Sequence, residues 1–368
     1  MKTWFTFENL HRAYIDCRQR KANTFYCLKF TENLEKNLLT LEKELQNRTY
    51  KPGQSIAFIV QKPKIREIFA ADFRDRVVHH LLFDYLSPIF EKIFIYDSWA
   101  CRQGKGTHQA MFRLQKFVRE TERERERERE RDGAPRQPFY LQMDIKSFFT
   151  SIDQHILYNL IAKKVKNEEI LWLTRTIIFH DCAHDIEPKI QSQPSLFAKL
   201  PADKSLFTAP KGKGLPIGNL TSQFFANVYL NELDQFAKHE LKVKSYLRYV
   251  DDFLIIGEGK SKLEEFQARI GQFTKEKLAL TVHPDKQFIR PIASGVDFVG
   301  YVVKPEYTLI RKRVVGNWRW KMEKLKDEDR RKQAFDSYTA HAMWANAHWL
   351  RKKMETKITP TQKVIIVA

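Results

Sequence analysis

The spacing of apolar residues along the chain predicts helices interrupted by short extended segments. Leucines in the first 50 residues recur three and four positions apart, which is one helix face: Leu34, Leu38, Leu41 and Leu45. Segments 55–60 and 66–70 read as strands joined by a basic turn at 61–64, and they predict a hairpin. The whole of 4–48 is predicted to be helical, and further helices are predicted over 74–90, 154–166, 168–179, 219–241, 262–277 and 311–352.

The remaining apolar runs predict strands over 139–144, 246–249, 253–256, 278–289 and 296–303. Strands and helices are mixed along the chain, and a tight turn joins two of the strands. The order of elements indicates an α+β fold with an antiparallel sheet.

Two segments lack a clear period. Residues 122–131 alternate Glu and Arg, so that in a helix residues three apart attract and residues four apart repel. We interpret residues 119–138 as an exposed, mobile, charged insertion. Residues 181–213 contain several prolines and predict a long loop.

Composition narrows the class of partner. The 368 residues carry 64 Lys and Arg against 45 Asp and Glu, a net charge of +19. Such an excess favours a polyanionic partner, because neutralised phosphates release counterions. Four scattered cysteines, no apolar leader and no long apolar run predict a cytoplasmic protein without membrane contact.

The candidate catalytic residues are aspartates at the ends of predicted strands. Asp251 and Asp252 lie between the strands of the predicted hairpin, where like charges repel unless a cation neutralises them. Asp144 ends the strand 139–144. Three such carboxylates suit a pair of divalent ions in phosphoryl transfer. The structural alternatives are an ordinary turn for the pair and a helix N-cap for Asp144.

The motifs around these residues resemble those of reverse transcriptases. The palm motifs are similar in order and spacing to QMDIKSFF (142–149), GLPIGNLTSQFFANVYLNELD (214–234) and YVDD (249–252). The fingers, later palm and primer-grip motifs are similar to 62–82, 280–287 and 295–303. The resemblance implies a right-hand polymerase: an N-terminal helical extension 1–49, fingers 50–138, palm 139–305 and a small helical thumb 306–368.

The resemblance also implies roles for individual residues. Asp144, Asp251 and Asp252 would hold two Mg²⁺ ions, with Mn²⁺ as an alternative. Phe149 would exclude a 2′-hydroxyl, and Lys286 would protonate the leaving pyrophosphate. The triphosphate would meet Lys64 and Arg66, and the nucleotide or template would meet Ile217, Gly218, Asn219 and Gln223. The structural alternatives are a core Phe, a surface Lys and an exposed basic turn.

The segment 215–223, LPIGNLTSQ, resembles diversity-generating retroelement reverse transcriptases. Many relatives carry Gln where this chain has Ile217, and Ile lacks a polar group to check pairing. This likeness implies a bacterial or phage enzyme that copies a template RNA into cDNA from a primer and dNTPs, with errors at adenines. It also implies a small basic accessory protein.

Two other readings of the sequence remain. One is a retron-like or group II intron-like reverse transcriptase of ordinary fidelity, and the other is a non-catalytic RNA-binding protein. Two weaker motifs do not change these interpretations of function. The turn 104–107 lacks the full phosphate-loop spacing, and the cluster 180–184 lacks a fourth zinc ligand.

Overall fold

The computed structural model describes residues 3–19, 21–61, 64–133, 137–185 and 200–358. Contacts divide the chain into two units, each built from three separate stretches. The first unit comprises Met1–Cys101, Asp144–Lys242 and Arg269–Asp285. The second comprises Arg102–Met143, Val243–Ala268 and Lys286–Ala368.

The first unit begins with three helices, α1 (Phe7–Arg18), α2 (Phe25–Thr31) and α3 (Leu34–Gln46). The predicted leucine face of α3 is its buried side. The hairpin of β1 (Ile56–Val60) and β2 (Arg66–Ala70) pairs antiparallel, with Val60 opposite Arg66. Helix α4 (Phe73–Glu91) follows, and the Asp72 side chain caps it by accepting from the Arg74 amide.

Four more helices belong to the described part of the first unit. They are α6 (Phe148–Ser151), α7 (Gln154–Lys164), α8 (Glu168–Ile178) and α9 (Leu220–Gln235). The α9 helix is buried on nearly all sides, and a π-helical turn, Phe236–Glu240, extends it. Two 3-10 turns, Ala202–Lys204 and Leu206–Thr208, precede α9.

The second unit contains most of a four-stranded sheet. Its strands are β3 (Pro138–Ile145), β4 (Ser245–Tyr249), β5 (Asp252–Glu258) and β6 (Val282–Pro291), in the order β4-β5-β3-β6. Strands β4 and β5 form the predicted antiparallel hairpin. The helix α10 (Lys260–Leu278) links β5 to β6 and belongs partly to each unit.

A smaller sheet and a helical bundle close the second unit. Strands β7 (Val296–Phe298), β8 (Tyr301–Val303) and β9 (Thr308–Ile310) pair antiparallel in sequence order. Helices α11 (Lys312–Lys324), α12 (Glu328–Ala342) and α13 (His348–Ile358) follow. They pack around the fully buried Trp318, which stacks on Tyr338 at 5.8 Å between ring centroids.

The described part of the predicted insertion 119–138 is mostly helical, which the Glu-Arg alternation did not predict. Residues Thr107–Asp132 form one helix, α5, which ends at Gly133 in a left-handed conformation. Glu and Arg are both good helix formers, and pairs three apart attract, as Glu122 and Arg125 do. The buried first half, including Met111 and Leu114, supplies the nucleus from which the exposed tract extends.

Most other element predictions were close, but the predicted strand 296–303 is the two antiparallel strands β7 and β8. The α+β fold with antiparallel sheets is confirmed. The strand β9 was not predicted. Of the predicted loop 181–213, residues 186–199 lie outside the described part, and 200–213 contain the two 3-10 turns. Within the part of the chain that the structure describes, every helix is too short or too polar to cross a bilayer.

Candidate functional site

The acidic pair lies at a strained hairpin turn in the second unit. Tyr249 pairs with Asp252 across the hairpin, so that Val250 and Asp251 form its two-residue tip. Val250 has a φ of 58°, a left-handed conformation that β-branched residues rarely adopt and that costs roughly 1–3 kcal/mol. The fully buried Arg248 donates from Nη1 to the Val250 carbonyl at 2.9 Å. A buried guanidinium thus stabilises the turn that presents the two aspartates.

A glutamine on the adjacent strand binds one of these aspartates. Gln142 donates from Nε2 to both carboxylate oxygens of Asp252, at 3.0 and 3.2 Å. Strand β3, which carries Gln142, lies next to β5 in the sheet. Side chains two positions apart on a strand point to the same face, so Asp144 shares the face of Gln142. All three aspartates are half-buried.

The structure assigns these aspartates to different units. Asp144 falls in the first unit, whereas Asp251 and Asp252 fall in the second. Among the described residues, no three His, Cys, Asp or Glu side chains form a preassembled metal cluster. In the weaker motif 180–184, His180 Nε2 lies 3.4 Å from Asp185 Oδ2.

In the first unit, the segment 214–219 is bound to strand β2. The Phe69 amide donates to the Ile217 carbonyl at 2.7 Å, and the Ala71 amide donates to Asn219 Oδ1 at 3.3 Å. Gly218 has a φ of 129°, and a Cβ there would meet the Phe69 carbonyl oxygen at 2.6 Å. Glycine is therefore required at this position, because the backbone of residue 218 lies so close to β2.

The other predicted contact residues differ in exposure. The side chains of Lys64, two residues before β2, and Arg66, its first residue, are exposed, and Gln223 is exposed in the first turn of α9. Phe149 is half-buried and lies edge-on to Phe148, with 5.4 Å between ring centroids. Lys286 is half-buried on β6, the strand next to β3.

The family model described as reverse transcriptase (RNA-dependent DNA polymerase) matches residues 51–303, more than two thirds of the chain. The chain belongs to the reverse transcriptase family. This confirms the sequence-based prediction of an RNA-directed DNA polymerase. The matched region contains every predicted site residue, including Lys64 at one end and Lys286 at the other.

Two curated proteins are similar to this reverse transcriptase. Protein YkfC of Escherichia coli K12 is 22% identical over 311 residues, which are 75% of this chain and 72% of that protein. An uncharacterized 91 kDa protein in the cob intron of Schizosaccharomyces pombe is 23% identical over 210 residues. That match covers 56% of this chain and 21% of the intron protein.

Solved telomerase structures are also similar. Telomerase from Candida albicans with a TWJ fragment of telomeric RNA matches with a TM-score of 0.43 and 11% identity. The match covers 85% of this chain and 57% of the telomerase chain. Apo telomerase from Candida tropicalis gives a TM-score of 0.43 and 11% identity, covering 83% of this chain and 60% of the other. This reverse transcriptase therefore spans little more than half of each telomerase chain.

Three features of the reverse transcriptase site were absent from the sequence-based predictions. The first two are the Gln142–Asp252 contact and the buried Arg248. The sequence could have indicated Gln142, because a residue two positions before Asp144 on a strand lies on the same face of the sheet. The third is Thr107, whose Oγ1 lies 3.1 Å from the hydroxyl of Tyr249. The glycine-rich turn 104–107 thus brings the start of α5 to Tyr249, the residue next to the tip of the acidic hairpin.

Proposed function

We propose that this reverse transcriptase copies an RNA template into DNA by two-metal nucleotidyl transfer at Asp144, Asp251 and Asp252. The polymerase would consist of a helical extension (1–49), fingers (50–138), a palm (139–305) and a thumb (306–368). The substrates are a template RNA, a primer and dNTPs. The net charge of +19 supports a nucleic-acid partner.

The observation that carries the proposal is the contact between Gln142 and Asp252. It brings the carboxylate of β5 to the side chain of β3 that shares a face with Asp144. Carboxylate oxygens are the ligands that Mg²⁺ prefers, and the remaining ligands are normally waters and substrate phosphates. The donor chemistry of the three aspartates therefore fits a pair of such ions, with Mn²⁺ as the alternative.

The protein's own residues would divide the remaining tasks. When bound, the ions would favour ionisation of the primer 3′-hydroxyl and stabilise the pyrophosphate. Lys64 and Arg66 would bind the triphosphate, for which the forked donors of Arg are well suited. Phe149 would exclude a ribose 2′-hydroxyl, and Lys286 would donate a proton to the pyrophosphate.

Primer extension on an RNA template tests the proposal. The wild-type protein should incorporate dNTPs with Mg²⁺, and Asp251→Asn should reduce incorporation by at least about 100-fold, because a metal ligand loses its charge. The matched control is Asp336→Asn, an exposed aspartate of α12. Incorporation by Asp251→Asn at the wild-type rate would refute the assignment, and an inactive wild type would favour a non-catalytic RNA-binding protein.

The finer proposal is a diversity-generating enzyme that misincorporates at template adenines and works with a small basic accessory protein. Its support is Ile217, which offers no polar side-chain group beside Gly218. Ile217→Gln should lower misincorporation opposite adenine, read by sequencing the cDNA. An unchanged error spectrum in this variant would reject the role of Ile217.

A second candidate is an intron-type or retron-like reverse transcriptase of ordinary fidelity. The similarity to a protein located in the cob intron favours it. The two candidates differ in wild-type error rate: a uniformly low rate at all four template bases would support the second. An excess of errors confined to adenines would support the first.

A further inference from the structure

A short segment of the first unit, residues 201–209, contacts both the turn that follows Asp144 and the strand β2. We name it the 201–209 strap. We infer that Asp203 of the strap is a positioning residue that fixes the turn at Ser147 and thereby the setting of Phe149. This inference rests on the proposed function, since Phe149 is expected to face the sugar of the incoming nucleotide.

The turn itself has an unfavourable backbone that needs support. Ser147 adopts φ 48° and ψ 44°, a left-handed conformation that a residue with a Cβ rarely takes. Its Oγ donates to Asp203 Oδ2 at 2.8 Å. Thr150 Oγ1 lies 3.0 Å from the Asp203 carbonyl oxygen and 2.8 Å from that of Ser147. Asp203 therefore binds both ends of the turn.

The opposite side of the strap is anchored on β2. Ser205 Oγ and the Leu206 amide donate to the carboxylate of Glu67, at 3.0 and 2.7 Å. Glu67 is buried, and burial raises the pKa of its carboxyl while the two donors act in the opposite direction. The ring of Phe207 packs on Phe69 with 5.5 Å between centroids. Since Glu67 follows Arg66, one strap connects the predicted triphosphate strand to the turn.

The hydrogen bond between Ser147 and Asp203 is therefore placed to control the position of Phe149. This residue lies two positions after Ser147, and its carbonyl accepts from the Leu215 amide at 2.8 Å. A cavity of about 270 Å³ separates parts of the strap from the turn, lined mainly by hydroxyl-bearing side chains and by Asp203. Because packing is incomplete there, the hydrogen bonds that Asp203 accepts from Ser147 and Thr150 help to fix the position of the turn.

The test is steady-state incorporation of dNTPs and rNTPs by Asp203→Ala. Losing one hydrogen bond should raise the KM for dNTP about fivefold and weaken selection against rNTP by a similar factor, with kcat within about twofold. Asp203→Asn should stay near wild type, because its amide oxygen still accepts from Ser147. The matched control is Lys204→Ala, whose side chain is exposed on the same strap.

A double-mutant cycle with Ser147→Ala separates positioning from general damage. Ser147→Ala should reproduce the changes in KM and sugar selection, and the double variant should add nothing further. Additive effects, or an Asp203→Ala enzyme identical to Lys204→Ala, would overturn the inference while leaving the proposed function intact. A wild-type protein that incorporates no dNTP would instead refute the proposed function itself.

Discussion

Replacing Gly218 by alanine tests whether the close backbone contact with β2 organises the predicted nucleotide site. The new Cβ would lie 2.6 Å from the Phe69 carbonyl oxygen and 3.0 Å from Ile68 Cγ2. The first neighbour is backbone within a paired hairpin, so it cannot move without breaking other hydrogen bonds. The substitution must therefore push the 214–219 segment away from β2.

The magnitude follows from two costs. A side chain at a φ of 129° costs about 1–3 kcal/mol, and overpacking costs another ~1–3 kcal/mol. Partial relaxation of the loop relieves both together, so we expect a loss of about 2–4 kcal/mol in the free energy of unfolding. Relaxation would also break the 2.7 Å bond from Phe69 to Ile217, and nucleotide incorporation should fall at least about tenfold.

Urea denaturation and primer extension measure these two effects. The control is Gly271→Ala in the middle of α10, where a Cβ would meet no atom within 4 Å. The free energy of unfolding of that variant should rise by up to about 1 kcal/mol, because alanine is a better helix former than glycine. The same chemical change thus has opposite expected signs at the two positions. A Gly218→Ala protein with wild-type stability and wild-type KM for dNTP would refute the reasoning.

Three further predictions concern buried or half-buried polar groups. Gln142→Leu removes the donor to Asp252, so the Mg²⁺ concentration for half-maximal activity should rise about fivefold. The same change removes a buried Oε1 that has no hydrogen-bond partner among the described residues, so stability should not fall. Burial raises the pKa of Asp84 from 3.8 to about 6, so stability should fall as pH rises through that window. Asp84→Asn should remove this dependence and gain about 1 kcal/mol at pH 7.5, after allowance for solvent screening of a half-exposed group, as urea denaturation at pH 5 and 7.5 would show. Arg248→Met should cost about 2–3 kcal/mol of unfolding free energy and reduce activity, because the Val250 carbonyl loses its buried donor.

Local sequence patterns were sufficient to predict most elements. The leucine spacing of α3 and the paired runs of β4 and β5 reflect periods of 3.6 and 2, which survive in any packing. The same patterns located Asp144 next to the end of β3 and the acidic pair at the hairpin turn. The family match then confirmed the class of enzyme.

The features that sequence did not predict depend on contacts between distant positions. Glu67 binds residues about 140 positions away, and no local period encodes that pairing. Gly218 was predicted to serve a bound nucleotide, whereas its closest constraint is the β2 backbone. The helix α5 was missed for the opposite reason, because the repulsion between like charges was given more weight than helix propensity.

The charged end of α5 has a consequence for how this protein tolerates changes in length. Each Glu-Arg pair adds about 3 Å to a helix and rotates whatever follows by roughly 200°. From Arg123 to Arg131 the side chains are exposed or half-buried, and Gly133 ends the helix. Adding or deleting pairs therefore changes an arm without shifting the buried half of α5. This arm is a natural place to insert a fluorescent label or an affinity tag.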